Sequence, residues 1–249
     1  MLRTVTATRY VAPLREGGSL PALVEADDDG LYVVKLRGAG QGPKALVAEV
    51  VVGELARALG LPVPEIVLVE LDAELARAEP DPEIQELIEA SAGINVGLDF
   101  LPGSLPYTPA SSPAPDPDLA AAVVWLDGLV ENIDRTPRNP NLLVWHDGLY
   151  LIDHGAALYR QHAGLDVARA REPFAAIADH VLLPAAGSLA ETDERLGPQV
   201  DRTLLERVTG LVPPDWFGDA TAAEHVDVLL ERMRAPREFA TEAETARAA

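Results

Sequence analysis

Cysteine is missing altogether from the 249 residues, which excludes disulfides, thiol catalysis and cysteine-ligated metals. Lysine is almost missing. Eighteen arginines accompany only Lys35 and Lys44, so a lysine placed inside a strand calls for a reason. Basic charge is scarce as a whole: 20 Lys and Arg face 40 Asp and Glu, for a formal net charge of −20. A chain with that balance repels phosphate backbones and is not expected to bind nucleic acid. An anionic substrate would need a local pocket of cations or a bound metal. No apolar run is long enough to span a bilayer, and the opening MLRTVTATRYVAPL lacks the apolar core of a secretory signal. The five histidines, at 146, 154, 162, 180 and 225, have no helical metal-ligand spacing, and no Gly-x-Ser-x-Gly elbow is present. The chain reads as cytoplasmic, with no membrane partner.

What is present is a chain 48% hydrophobic, long enough for one large domain or two small lobes. TVTATRYVA, PALVEA and LYVVKL read as three antiparallel strands. A tight turn over EGGSL joins the first two, and the Asp29-Gly30 step suits a hairpin turn between the others. Pro43 and Gly60 bracket a helix from Pro43 to Leu59 that is apolar over most of its circumference. VPEIVLVEL (63–71) and INVGLDFLPG (94–103) read as strands, and the charged stretch 72–91 as helical. Residues 103–117, rich in proline and serine, suit an extended connection. A second helix from about Asp118 to Ile133 places Leu119, Val123, Leu126, Val130 and Ile133 on one face. The remainder is mostly helical, with a tail from about 235 expected to fray.

Between the second helix and a hairpin lies NIDRTPRNPNLLV (132–144), with more polar groups than a connection requires. If Asp147 and Gly148 form the turn of NLLVWHDGLYLID, paired residue numbers sum to 295. Leu142 then faces Asp153 and Asn141 faces His154. Asn139, Asn141 and Asp153 become neighbours, with Asp134 entering from the helix end. Two carboxylates and one or two amide oxygens suit a hard cation such as Mg²⁺, which takes few protein oxygens. Asp134-x-x-x-x-Asn139 followed by Asp153-His154-Gly155 also matches a phosphoryl-transfer pattern, in which such a loop holds a base and metal ligands.

On GLYVVKLRG, VAEVVVGELARALGLPVPE, GINVGLDFLPG, NIDRTPRNPNLLV and GLYLIDHG, in that order, the sequence resembles the HipA-like kinase family, whose fold is similar to that of phosphatidylinositol kinases. The resemblance spans roughly residues 5–234. It implies an α+β, bilobal protein-kinase-like fold. Residues 1–102 would be an N-lobe with a small antiparallel sheet and one key helix, and 103–249 a mainly helical C-lobe. It also implies ATP and Mg²⁺ as cofactors and phosphoryl transfer to a hydroxyl, with a protein serine or threonine as the expected acceptor. Lys35 would pair with the α- and β-phosphates and Glu49 with Lys35. By helical angle Glu54 lies nearer the apolar stripe and stays an alternative, whereas family spacing favours Glu49. Asp134 would be the base, Asn139 and Asp153 the metal ligands, and Arg138 a partner of the γ-phosphate. The backbone of Asp99, Phe100 and Leu101 would hold the adenine edge, and Gly17, Gly18 and Ser19 would cover the phosphates. The loop opens with NID instead of His-Arg-Asp, and His154 replaces the usual aromatic residue; both fit the HipA-like and lipid-kinase branches. A nucleotide-binding regulatory module and a lipid or small-molecule kinase are the alternatives. No basic membrane-facing cluster is visible for the lipid reading.

Overall fold

The computed structural model describes residues 1–14, 20–40, 42–111 and 114–249. Gly17, Gly18 and Ser19 therefore lie outside the described residues. Five strands, β1 (Thr4–Pro13), β2 (Ala22–Ala26), β3 (Leu31–Lys35), β4 (Ile66–Leu71) and β5 (Gly93–Asp99), close into a barrel in the order β1-β2-β3-β5-β4. The expected three antiparallel strands are there. They form part of a barrel rather than an open sheet, because β1 also pairs in parallel with β4, Thr4 opposite Leu68. The β2–β3 turn differs from the Asp29-Gly30 expectation. Asp29 itself takes the left-handed conformation (φ 62°), and Ala26 and Gly30 close the loop through an Ala26 N–H to Gly30 carbonyl bond of 3.0 Å.

The helix α1 (Pro43–Ala58) begins on proline and ends as the sequence predicts. Gly60, at φ 80°, lets the chain turn back. Its N–H reaches Arg57 O at 3.0 Å and Leu61 N–H reaches Ala56 O at 2.9 Å, the paired bonds of a Schellman motif. Every residue from Leu46 to Gly53 is buried. The cause is position: α1 packs on Ile66, Val96 and Leu98 of the barrel and also belongs to the core shared with the later helices. A separate apolar cluster joins Val24, Val34, Val67 and Val69 to Ile84 and Ile88 of α2 (Pro82–Ala90).

The chain after the barrel carries α3 (Pro117–Val130), α4 (Tyr159–Ala163), α5 (Leu189–Leu196), α6 (Arg202–Thr209), α7 (Ala222–Arg232) and α8 (Glu238–Ala248). It also carries a small sheet of β6 (Leu105–Pro106), β7 (Leu142–Trp145) and β8 (Gly148–Leu151). The stretch expected to be an extended connection is tied down, since β6 pairs with β7 and Tyr107 is buried. The helix α3 stops at Val130, where Glu131 turns left-handed (φ 52°), so Ile133 is outside it and exposed. Its burial is not one-sided: Ala120 through Val130 are all buried, making α3 the central rod of the helical region. Among the described residues no helix is long and apolar enough to cross a membrane.

The tail also departs from expectation. Residues 238–248 form α8, with Phe239, Ala240 and Ala243 buried. Phe239 meets Trp125 edge-on at 5.4 Å between ring centroids. A Cβ added at Gly128 would lie 3.2 Å from the Phe239 ring, so the glycine permits the approach. The position at the chain end that suggested fraying is overridden by the packing of α8 on α3 through Phe239. Phe239→Ala is expected to cost about 3 kcal/mol of unfolding free energy, read from denaturant midpoints; an unchanged midpoint would show that α8 does not pack.

His225 of α7 is 7% exposed and lies against Phe217. Its Nδ1–H donates to Gln161 Oε1 at 2.6 Å. Burial, with His162 adding to it, pushes its pKa down to about 4. The unfolded chain, with an ordinary histidine near 6.5, then binds more protons between these two values. Stability from this group is present above pH 6.5 and is lost as pH falls toward 4. His225→Gln is expected to remove about 2 kcal/mol of the loss between pH 7.5 and pH 5, measured by denaturation at both pH values. Equal losses in parent and variant would refute it.

Candidate active site

Lys35, the last residue of β3, is 8% exposed. Its Nζ lies 2.7 Å from Asp153 Oδ1 and 3.5 Å from Glu49 Oε1. Three separate elements meet there: the strand end, the middle of α1 and the segment after β8. Glu49 is the lysine's neighbour, while Glu54 pairs with Arg57 at 3.3 Å. The helical-angle argument for Glu54 fails because α1 is buried on every face from Leu46 to Gly53, so its apolar stripe does not mark its inner face. Glu49 Oε1 also accepts the Gly155 N–H at 3.1 Å. Oε2 is buried with no hydrogen-bond partner among the described residues. Burial pushes Glu49 up to about 7 against the pull of Lys35. Burial also works against the Lys35 charge, but Glu49 and Asp153 together hold its pKa above the ordinary lysine range. For Asp153 burial is outweighed by Lys35, and its pKa is lowered.

A second cluster forms in the polar loop. Asp134 Oδ2 accepts Asn139 Nδ2 at 2.6 Å and Asn141 Nδ2 at 3.2 Å. The Asp134 N–H donates to Asn132 Oδ1 at 3.1 Å. Thr136 and Asn139 exchange backbone bonds of 3.1 Å in both directions, closing the loop over Pro137 and Arg138. Both amides turn their nitrogen to Asp134, which leaves the Asn139 Oδ1 facing elsewhere. Arg138 is exposed at the tip and has no ion pair among the described residues.

The hairpin register is not the one expected. Leu142 pairs with Leu151 and Trp145 with Gly148, so paired numbers sum to 293, not 295. His146 (φ 47°) and Asp147 (φ 60°) are the turn, two residue types that tolerate the left-handed region. Gly148 opens the return strand, where a Cβ would lie 3.3 Å from Trp145 O and from the Tyr150 ring. The shift moves Asp153 beyond the strand. Asn141 O instead accepts the Ile152 N–H at 3.1 Å, and no hydrogen bond joins Asn139 to Asp153. Asp153, at φ 53°, swings its carboxylate to Lys35. The expected neighbours therefore fall into two groups, Lys35–Glu49–Asp153 and Asp134–Asn139–Asn141, linked through the Asn141–Ile152 backbone.

Beneath both lies a polar network that sequence reasoning missed. Asp127 of α3 is fully buried. Its Oδ2 takes Arg135 Nε at 2.5 Å and His180 Nε2 at 2.9 Å, and its Oδ1 takes Asn132 Nδ2 at 3.1 Å. Burial opposes the Asp127 charge, but Arg135 and His180 hold its pKa well below the usual carboxylate range. Burial lowers the His180 pKa against the pull of Asp127. Its Nδ1 accepts the Leu182 N–H at 3.0 Å, so Nε2 carries the proton toward Asp127. His154, in the place of the usual aromatic residue, is completely buried and pushed down to about 3, burial being the main cause. Its ring lies near Gly53 of α1, where a Cβ would come within 3.5 Å of it. The available signal was Asp127 itself, a lone carboxylate in the apolar run AAAVVWLDGLV, because a buried charge needs a partner.

At the end of β5, the N–H groups of Asp99 and Phe100 are already used, by Glu65 O and Leu31 O at 2.9 Å each. Of the three residues expected at an adenine edge, only Leu101 has no bond to its N–H among the described residues. Among those residues no three His, Asp or Glu side chains gather to cage a metal.

The HipA-like kinase family matches residues 8–237. Among solved structures, the Helicobacter pylori proinflammatory kinase CtkA is similar at a TM-score of 0.56 and 12% identity, covering 100% of this chain and 98% of that one. The Golgi casein kinase is similar at a TM-score of 0.53 and 15% identity, covering 98% of this chain and 73% of that one. At these identities the likeness is one of fold. A search of curated proteins found no match. The family match takes in the barrel, α1, the polar loop and the hairpin alike, and the chain belongs to the HipA-like kinase family.

Proposed function

We propose that the protein is an ATP- and Mg²⁺-dependent phosphotransferase acting on a serine or threonine hydroxyl of a protein. The observation that carries this reading is the buried Lys35 in contact with both Glu49 and Asp153. A cation so placed is held in position by Glu49 and can exchange its nearer partner, Asp153, for nucleotide phosphate. Residues 1–102 and 103–249 would be the two lobes, with Leu101 N–H offered to the adenine edge. Asp99 and Phe100 would shape that edge without donating. Gly17, Gly18 and Ser19 keep their proposed place over the phosphates, and the exposed Arg138 its place at the γ-phosphate.

The donor set fits Mg²⁺. Asp153 offers carboxylate oxygen, and the Asn139 amide oxygen, turned away from Asp134, has no hydrogen bond among the described residues. With only these two side chains to hold it, the ion would be shared with phosphate and water, as Mg²⁺ prefers. When bound, it would neutralise phosphate charge. The chain's own contribution is positional. Asp134, oriented by two amides, would take the acceptor hydroxyl proton as the acceptor oxygen bonds to the γ-phosphorus. The bond from that phosphorus to the bridging oxygen breaks and ADP leaves. A regulatory module with no chemistry would have no need of a carboxylate held by two amides.

The test is ADP release from Mg²⁺–ATP, followed by mass spectrometry of phosphorylated products from a cell lysate. Asp134→Asn is expected to lower turnover by about 10²- to 10⁴-fold with calorimetric ATP affinity nearly unchanged. Asp153→Asn is expected to lose the thermal stabilisation by Mg²⁺–ATP as well. Undiminished transfer in Asp134→Asn would rule out the base role, and ATP binding without transfer in the parent would point to the regulatory module.

Lys35 allows a separate check. Its slot is closed on two sides by carboxylates, and a planar guanidinium does not substitute for a compact ammonium there. Lys35→Arg is expected to lose most activity. Lys44→Arg should change little, since Lys44 is exposed and among the described residues its ammonium bonds to His162 O at 2.8 Å, away from the Lys35 slot. Comparable activity in the two variants would remove the case for Lys35.

A further inference from the structure

Arg135 follows Asp134 in sequence and points the opposite way, into the protein, where it is 1% exposed. Its guanidinium meets acceptors from three segments. Nε reaches Asp127 of α3 at 2.5 Å. Nη1 bonds to Asn141 O, at the end of the polar loop, and lies 3.4 Å from Ile152 O, just before Asp153. Nη2 lies 3.3 Å from His154 Nδ1. The Arg135 carbonyl in turn accepts the Val181 N–H at 3.0 Å. His180, one residue earlier, completes Asp127. The other oxygen of Asp127 holds Asn132, whose side chain holds the Asp134 N–H.

Stability does not explain this arrangement. A buried ion pair is often no more stabilising than apolar side chains of the same volume. An apolar set could fill this space, but it could not fix the carbonyls of Asn141 and Ile152 relative to Asp127. The guanidinium fork can, because its donors lie in one rigid plane. Every bond it makes beyond Asp127 ends on the loop carrying Asp134 or on the segment carrying Asp153.

We propose that Asp127, Arg135 and His180 are positioning residues, a buried unit that sets the Asp134 loop in register with the Asp153 segment. The role rests on the phosphotransferase reading. His180 is its most informative member, because it touches neither cluster and acts only through Asp127 and the Leu182 backbone. Losing it should disturb the register of the two segments and leave the Lys35–Glu49 pair and Leu101 in place. The effect belongs in kcat, where a displacement of about 1 Å can cost on the order of 10²-fold, and not in the KM for ATP.

The experiment compares His180→Leu, which removes both polar contacts, with His180→Gln, which keeps a donor and an acceptor. Mg²⁺–ATP turnover, denaturant midpoints and amide hydrogen exchange are measured for each. Expected for His180→Leu is a kcat loss of roughly 10- to 100-fold, with an unchanged KM for ATP. Faster exchange should be confined to residues 132–142 and 152–155. His180→Gln should recover most of the kcat and the protection. Parental kcat in His180→Leu would overturn the proposal, as would unchanged exchange in those segments or a kcat loss that only follows the folded fraction. If the parent shows no turnover, the phosphotransferase reading falls, while the exchange data still decide whether the unit orders the two segments. Should His180→Leu fail to fold, Arg135→Lys keeps the charge without the fork and is read in the same way.

Discussion

The interaction on which the site depends is a buried ammonium, Lys35, held between a buried acid, Glu49, and a half-buried one, Asp153. Desolvating a charge costs several kcal/mol unless partners replace the lost water. Lys35, Glu49 and Asp153 supply one another's partners, and they come from β3, α1 and the segment after β8. A shift of β3 or α1 would separate the buried Lys35 from the buried Glu49. This fits the burial of α1 on every face from Leu46 to Gly53. That middle stretch lies in the core and delivers Glu49 to a lysine on the barrel's edge, with Gly53 leaving room for Ile66.

The apolar core and the polar network have different effects. The core gathers Trp125, Leu126 and Leu129 of α3 with residues from α1 and α8, and it favours the compact state without direction, since burial is non-directional. The network hung from Asp127 is directional. It sends one branch through Asn132 to the Asp134 backbone and another through Arg135 to Asn141, Ile152 and His154. Because Asp127 lies in the most buried helix, the loop takes its position from the rigid centre of the molecule and not from the surface it faces.

Much of this was legible in the sequence, and what was not has a physical cause. Strand alternation, Pro43 and Gly60 delimit α1 and the first strands because those signals are local. The single lysine inside a strand and the Asp134–Asn139 spacing pointed to the site for the same reason. The hairpin register was misplaced by two because Asp147-Gly148 looks like a turn pair, whereas the positive φ angles belong to His146 and Asp147 and the glycine is needed for close packing. The two-sided burial of α3 and the packing of α8 depend on contacts more than 100 residues apart, such as Trp125 with Phe239. Periodicity cannot report those. Family spacing separates Glu49 from Glu54 where helical angle does not, since the middle of α1 is buried on every face and has no stripe to measure from.

Backbone strain follows the same division. Eight non-glycine described residues have positive φ, and six of them fall between 131 and 158: Glu131, Asn141, His146, Asp147, Asp153 and Leu158. Asn, Asp and His tolerate this region, but glutamate and leucine at such angles cost on the order of 1 kcal/mol or more each and persist only where the surroundings impose them. Those surroundings are visible. Glu131 is held by Arg160 at 2.8 Å and Arg232 at 3.1 Å. Leu158 is wholly buried, with its N–H on Val130 O at 2.6 Å. Within residues 131–158 the two strained residues that sequence preference does not favour thus mark the boundaries of the segment, one at the end of α3 and the other bonded back to it. Between them the chain leaves α3, forms the Asp134 loop, the hairpin and the Asp153 turn, and returns to its starting point. Closure at the base lets the loop and hairpin depart from regular structure while Asp134 and Asp153 stay on one frame.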